Sequence, residues 1–465
     1  MPSYAAVLRT PHAVRTFLPA LVGRLSYGIL FLAVMLAVVR ATGSYSVAGV
    51  LVALFGLSSA VLSPVRARFI DRYGLRRALP PMVVVYVSAL AAIAVATWRP
   101  GTSVADLPLY VLAVLAGSST PPLGPIMRSI WSDLLPDPDL RQRAFSVDTV
   151  AEETLYIVGP LVAGAVAAIA NPALGVALSA ALILTGSLLL ITSPAVKHRA
   201  AGEQRQTPGD KATPAPETGG SAPFVAGVAA QEAVVTGVAA SETVVSGAAV
   251  HEAVVTGAAA SETVVSEAAA AEAVSGLRVL AHSYRPIVIS AAVGMCLGAL
   301  SLLVVAFAQN AGRLAAVAWI EAALAVGSVV GGLAYGAVTW RLSEAHRLRM
   351  LAAGLGVTFA LSGLAGNLYL LAGCAAVIGL FVSPALSTAY LLADESATPE
   401  TRIQAGAWVN TAFNLANSAG TALVGLLLTR LPLAVCFALA AAPPLLAAVV
   451  TVTRSPGTVT RSAGR

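Results

Sequence analysis

Apolar residues run through this chain in blocks long enough to cross a bilayer, separated by short polar breaks. The blocks fall at 17–39, 46–66, 79–98, 107–127, 145–170 and 173–193, and again at 286–309, 315–339, 348–366, 368–391, 405–429 and 431–453. About 20 apolar residues span the ~30 Å hydrocarbon layer as a helix. The pattern therefore predicts six membrane helices, a break, and six more. The fourth is interrupted by Pro121, Pro122 and Pro125. A membrane helix tolerates this where its neighbours satisfy the freed backbone groups.

The break at 194–285 has another character. It opens as a polar linker, KHRAAGEQRQTPGDKATPAPETGG, and continues as a ten-residue repeat: QEAVVTGVAA, SETVVSGAAV, HEAVVTGAAA, SETVVSEAAA. A period of ten rotates a helix by about 280° beyond whole turns, so no apolar stripe stays on one face. The glutamate in every copy argues against a thirteenth span. This reads as a low-complexity insert; the alternative is a partner-binding segment. The expected divisions are 1–193 for the first six-helix bundle, 194–285 for the insert, 286–453 for the second bundle and 454–465 for a tail.

Composition agrees. The chain has 465 residues, 57% hydrophobic and 11% charged, with a mean hydropathy of +0.83. Soluble domains carry about 25% charged residues. The net charge of +6 concerns topology rather than nucleic acid. One set of loops holds only Arg40, Arg99, Arg313 and Arg430 of the 28 lysines and arginines, and Arg24 lies inside a span. The remainder lie on the other side, which the positive-inside rule places in the cytoplasm with both termini. The expected setting is the plasma membrane, with the chain multi-pass and monomeric. The first apolar block is too long for a signal-peptide core. Cys296, Cys374 and Cys436 sit in apolar stretches, and no histidine has metal-ligand spacing. With no phosphate-cradling loop and no nucleophile–base set, the reading holds no enzyme, cofactor or metal.

The two halves are related. Shifted by 261 residues, Asp133–Gly164 lies over Asp394–Gly425, matching Asp133 with Asp394, Pro138 with Pro399, Arg141 with Arg402, Gly159 with Gly420 and Gly164 with Gly425. Glu153 then falls opposite Asn414.

Polar residues sunk in spans are the candidate site. An ionisable group at mid-membrane costs about 2.5–3.5 kcal/mol on insertion scales, so it usually has a role or a partner. Glu152 and Glu153 lie inside the fifth span, and Arg24 is the arginine read as lying well inside a span. Measured from Phe17 and Ala144, Arg24 shares their depth. This predicts an ion pair of Arg24 with Glu152 or Glu153; the alternative is an arginine reaching the headgroups. Glu153, or else Glu152, is the candidate proton carrier. Asn410, Asn414 and Asn417 fall on one face of the eleventh span, toward a cavity or toward a neighbouring helix. Tyr27 and Gln309 are weaker cavity candidates.

After the second span comes Ala67-Arg-Phe-Ile-Asp71-Arg72-Tyr-Gly74-Leu-Arg76-Arg77. This resembles the loop motif G-x-x-x-D-R-x-G-R-R/K of the major facilitator superfamily through Asp71, Arg72, Gly74, Arg76 and Arg77. It departs at Ala67 and Leu75. Gly159-Pro160-x-x-x-Gly164 looks like the fifth-helix antiporter motif of that superfamily's drug exporters, with Leu155 in place of its earlier glycine. The resemblance implies an all-α integral membrane fold of 12 transmembrane helices, in two pseudo-symmetric six-helix bundles that rock about a central cavity. Asp71 suits a gate, pairing with Arg128, Arg141 or Arg143 and facing the positive N-terminus of helix 11. The alternative is plain solvated charge. The overall reading is a secondary transporter for a small organic molecule, exporting it in exchange for protons. The alternatives are a proton-linked uptake permease and a non-transporting scaffold or sensor.

Overall fold

The computed structural model describes residues 4–99, 106–197, 279 and 283–451. The repeat at 231–270, nearly all of the central insert and the tail at 454–465 lie outside these residues. All the described elements are helices: α1 (Tyr4–Arg9), α2 (Ala13–Thr42), α3 (Tyr45–Tyr73), α4 (Leu75–Ala96), α5 (Asp106–Ser119), α6 (Leu123–Leu134), α7 (Pro138–Ile169), α8 (Ala173–Thr192), α9 (Tyr284–Asn310), α10 (Ala316–Ala337), α11 (Glu344–Ser362), α12 (Leu368–Ser396), α13 (Arg402–Leu427) and α14 (Leu433–Val450).

With α5 and α6 counted as one pass, ten of the passes are long and apolar enough to cross a membrane by length and composition. The other two are α11, whose first turns carry Glu344, Arg347 and Arg349, and α13, which carries the three asparagines. Large apolar side chains such as Val95, Leu161 and Leu426 point outward. An apolar exterior is what a lipid-facing surface requires.

Local chemistry sets the boundaries. Asp137 caps α7 by accepting the N–H groups of Asp139 at 2.8 Å and Leu140 at 3.3 Å, with Pro138 in the first turn. This is the usual chemistry of a helix start. Both α2 and α7 begin before their apolar blocks, at Ala13 and Pro138 rather than at 17 and 145. Between α3 and α4 the chain turns on Gly74, at φ 77° and ψ 150°. That region is essentially reserved for glycine.

The fourth pass is broken. Pro121 and Pro122 supply no N–H, and helix is absent from Thr120 to Pro122. Side chains of other helices cover the freed carbonyls. Arg66 of α3 donates to Gly117 O at 3.0 Å and Ser118 O at 3.1 Å, and the Tyr27 hydroxyl of α2 donates to Pro121 O.

In the first half α2 packs on α7 and α8; in the second, α9 packs on α13 and α14. The related glycines occupy corresponding crossings. Gly159 of α7 lies against the Gly28 backbone of α2, and Gly420 of α13 against the Met295 backbone of α9. Gly164 does not share in this, since a Cβ there would meet nothing within 4 Å. The halves meet where α7 packs on α10 and α3 packs on α13.

Candidate functional site

The α7 sequence places Asp148 and Glu152 one turn apart, on one face. Asp148 is fully buried. Its Oδ1 receives Arg24 Nη1 at 3.0 Å, and its Oδ2 lies 3.1 Å from Arg128 Nε. Arg128 Nη2 in turn pairs with Glu152 Oε2. Arg24 also donates to Leu123 O and Gly124 O, each at 3.3 Å, at the start of α6. Two guanidinium groups and two carboxylates thus form one buried, balanced quartet. Charges taken out of water persist only when paired in this way. A shallow crevice adjoins it, lined by Arg24, Tyr27, Glu152, Leu155 and Tyr156.

The quartet reaches the second half through Tyr390 of α12. The Arg128 guanidinium lies 3.5 Å from the centre of that ring, and the Tyr390 hydroxyl donates to Asn410 Oδ1 at 3.3 Å. A cation over an aromatic face is attracted by the ring quadrupole.

The partner expected for Arg24 is corrected. It is Asp148 and neither Glu152 nor Glu153. The true helix starts explain why. At 1.5 Å per residue, Arg24 lies about 16 Å into α2 and Asp148 about 15 Å into α7, with Glu152 near 21 Å. Arg24 is also not the lone interior arginine, because Arg66 and Arg128 are buried within α3 and α6. Arg128, expected at Asp71, belongs to the quartet instead.

Glu153 points elsewhere. Consecutive helical residues diverge by about 100°, so Glu152 turns into the first half while Glu153 turns to the seam between halves. There Ser328 Oγ of α10 donates to Glu153 Oε2. Glu153 Oε1 is buried with no hydrogen-bond partner among the described residues. The seam is regular. Ser146, Val150 and Glu153 on α7 face Gly336, Gly332 and Ser328 on α10.

At one end of the passes, where α3 ends and α7 begins, charged residues of the two halves interlock. Asp71 Oδ2 accepts the Gln404 N–H at 2.9 Å, in the first turn of α13. Arg402 lies 3.1 Å from Asp133, across the seam, and 3.7 Å from Asp394 of its own half. Arg141 lies 3.4 Å from Glu395. Ser132 Oγ donates to Asp394 Oδ2 at 2.7 Å. Arg72 stacks on Tyr73 at 5.5 Å, and Arg76 and Arg77 are exposed. Arg143 is buried in α7, where its Nη1 donates to Asp139 O at 3.3 Å.

The asparagine stripe divides. Only Asn410 joins Tyr390. Asn414 is exposed and donates to Asn410 O at 2.9 Å. Asn417 lies against Gly298 of α9, where an added Cβ would come 2.9 Å from its Oδ1. Gln309 is exposed in the last turn of α9, at the opposite end, and does not meet the quartet. Pro160 is exposed beside Gly159. Sequence reasoning missed Asp148, Tyr390, Ser328 and Gln142. Of these only Asp148 left a signal, as an acid one turn before Glu152.

Twelve helical passes in two related halves, meeting at a seam beside buried charge, define a secondary membrane transporter. The model of the Major Facilitator Superfamily matches residues 16–337, and the chain belongs to that superfamily. Comparison with curated proteins gave no match. Among solved structures, a bacterial homologue of the iron transporter ferroportin in an outward-facing state with soaked iron is similar at TM-score 0.63 and 12% identity, covering 94% of this chain and 96% of that one. The human organic anion transporter MFSD10 (TETRAN) is similar at TM-score 0.61 and 16% identity, covering 97% and 100%. These likenesses are of fold.

Proposed function

We propose that this chain exports a small organic molecule by alternating access in exchange for protons, with Glu153 as the proton carrier. One observation carries the reading. Two adjacent acids are treated differently: Glu152 is paired with Arg128, whereas Glu153 meets a serine across the seam and keeps one oxygen unpartnered. A carboxyl placed where the halves separate takes up a proton from whichever side the seam opens to. The neutral acid then re-forms its contact with Ser328 as the seam shuts. The quartet stays charge-balanced on the first half, beside Tyr27 and Tyr156.

The charged end, with both termini, faces the cytoplasm, in keeping with the arginine asymmetry. The membrane is the plasma membrane and the working unit the monomer. Export is supported by the resemblance of Gly159-Pro160 to the fifth-helix element of the superfamily's exporters. The halves divide at the central insert, as 1–193 and 286–453.

The test is flux in proteoliposomes under an imposed pH gradient, with a solute found by thermal-shift screening of the purified protein. Glu153→Gln is expected to abolish pH-driven flux while solute binding persists. pH-driven flux at the parent rate in that variant would remove Glu153 from the mechanism. Flux running with the proton gradient rather than against it would replace export by proton-linked uptake.

A further inference from the structure

The end of α10 is capped from both halves, Trp340 of its own half giving Nε1–H to Tyr335 O at 3.1 Å. Its final carbonyls have no following turn to supply donors. Gln142 of α7 gives Nε2–H bonds to Tyr335 O and Val338 O, each at 3.2 Å. Arg347 holds Gln142 in place, with Nη1 at 2.6 Å from Oε1. Leu333, one position before those last four carbonyls, takes a second donor from outside the twelve passes. Tyr4, at the start of α1, gives its hydroxyl hydrogen to Leu333 O. Its seat exists because residue 336 is glycine. A Cβ there would fall onto Tyr4 Oη and come 2.8 Å from Ser146 Cβ. The phenol is therefore lodged between α7 and α10.

The rest of α1 belongs to the first half. Val7 is fully buried, and α1 packs on α2 and α7. Thr10 N–H bonds Ala6 O at 3.1 Å, and Ala13 N–H bonds Thr10 O at 3.1 Å. The joint into α2 passes through His12 at φ 69°, a left-handed conformation uncommon outside glycine. The chain thus holds a bend that aims Tyr4 across the seam. Burial pushes the Tyr4 hydroxyl above its ordinary pKa, against a smaller opposing pull from Arg143, so it remains a donor at neutral pH.

We propose that Tyr4 is a gating residue: its hydroxyl holds α10 to the first half while the charged end is shut, and this contact breaks before that end opens. The inference rests on the alternating-access reading. Tyr4 travels with the first half and Leu333 with the second, so rocking must part them. A net hydrogen bond is worth about 1 kcal/mol, which is about fivefold in the open-to-shut ratio.

The experiment is a spin–spin distance measurement on the full chain in lipid nanodiscs. Cys296, Cys374 and Cys436 are replaced by serine, and labels are attached through Lys197→Cys and Glu400→Cys, exposed positions at the charged end of the two halves. Two distances are expected in the parent. Tyr4→Phe, which keeps the ring and removes the donor, should raise the long-to-short ratio about fivefold. Gly336→Ala, which fills the seat, should raise it as well. An unchanged ratio in Tyr4→Phe overturns the proposal, whatever Gly336→Ala does. A parent with one distance at every pH and solute concentration would instead overturn alternating access itself. Two distances with an unmoved ratio leave that reading intact and remove only Tyr4.

Discussion

Asp148 is the residue on which the buried charge depends. Among the described residues it is the acid that pairs with both Arg24 and Arg128. Asp148→Asn leaves two guanidinium groups to share Glu152 alone. Losing one partner of a buried pair costs about 3–5 kcal/mol. The expected outcome is a large fall in the thermal midpoint of the purified protein. Glu152→Gln should cost less, because Glu152 pairs with Arg128 alone and its side chain is 18% exposed. A fall for Glu152→Gln equal to that for Asp148→Asn would contradict this ranking. Sequence predicted an acid partner for Arg24, with an arginine reaching the headgroups as the alternative. It did not show which acid, because the choice hangs on one helical turn. Depths counted from the apolar blocks missed the polar first turns of α2 and α7.

Helix boundaries turn on a few backbone positions, and glycines there are unequal. Gly74 sits at φ 77° between α3 and α4, while Gly164 has open space around it. Gly74→Ala should cost about 1–3 kcal/mol in backbone strain. Gly164→Ala should change stability by less than about 0.5 kcal/mol, as substitutions without contacts do. Thermal midpoints of the two variants measured side by side check the pair. The number and order of the twelve passes were legible from apolar blocks alone, but their lengths and the short α1 were not, because polar turns extend the helices beyond the blocks. The prolines of the fourth pass were legible as an interruption. That Arg66 and Tyr27 would cover its carbonyls was not, since a break in one helix says nothing of which neighbour faces it.

Across the whole molecule, the 261-residue relation links residues that interlock at the charged end. Asp133 and Asp394 correspond, as do Arg141 and Arg402, and Arg402 lies against both aspartates. Arg402 and Asp133 are partly exposed, so that pair contributes about 0–1 kcal/mol, whereas Asp394 is buried. Arg402→Glu should favour the open charged end, read as a longer distance between labels on the two halves, and Asp133→Arg in the same chain should return part of the shift. No recovery would mean that the pair does not hold the gate. The sequence disclosed the duplication but not the register across the seam, because contacts such as Glu153 with Ser328 join residues far apart along the chain.

The balance of the quartet carries one more consequence. A membrane potential does work of about 2.3 kcal/mol per elementary charge per 100 mV. Arg24, Asp148, Arg128 and Glu152 ride on one half with no net charge between them, so voltage neither drives nor resists their passage. Any electrical current during the cycle then comes from charge outside the quartet, whether the cargo's or that of Arg66, whose partners among the described residues are carbonyls and a hydroxyl.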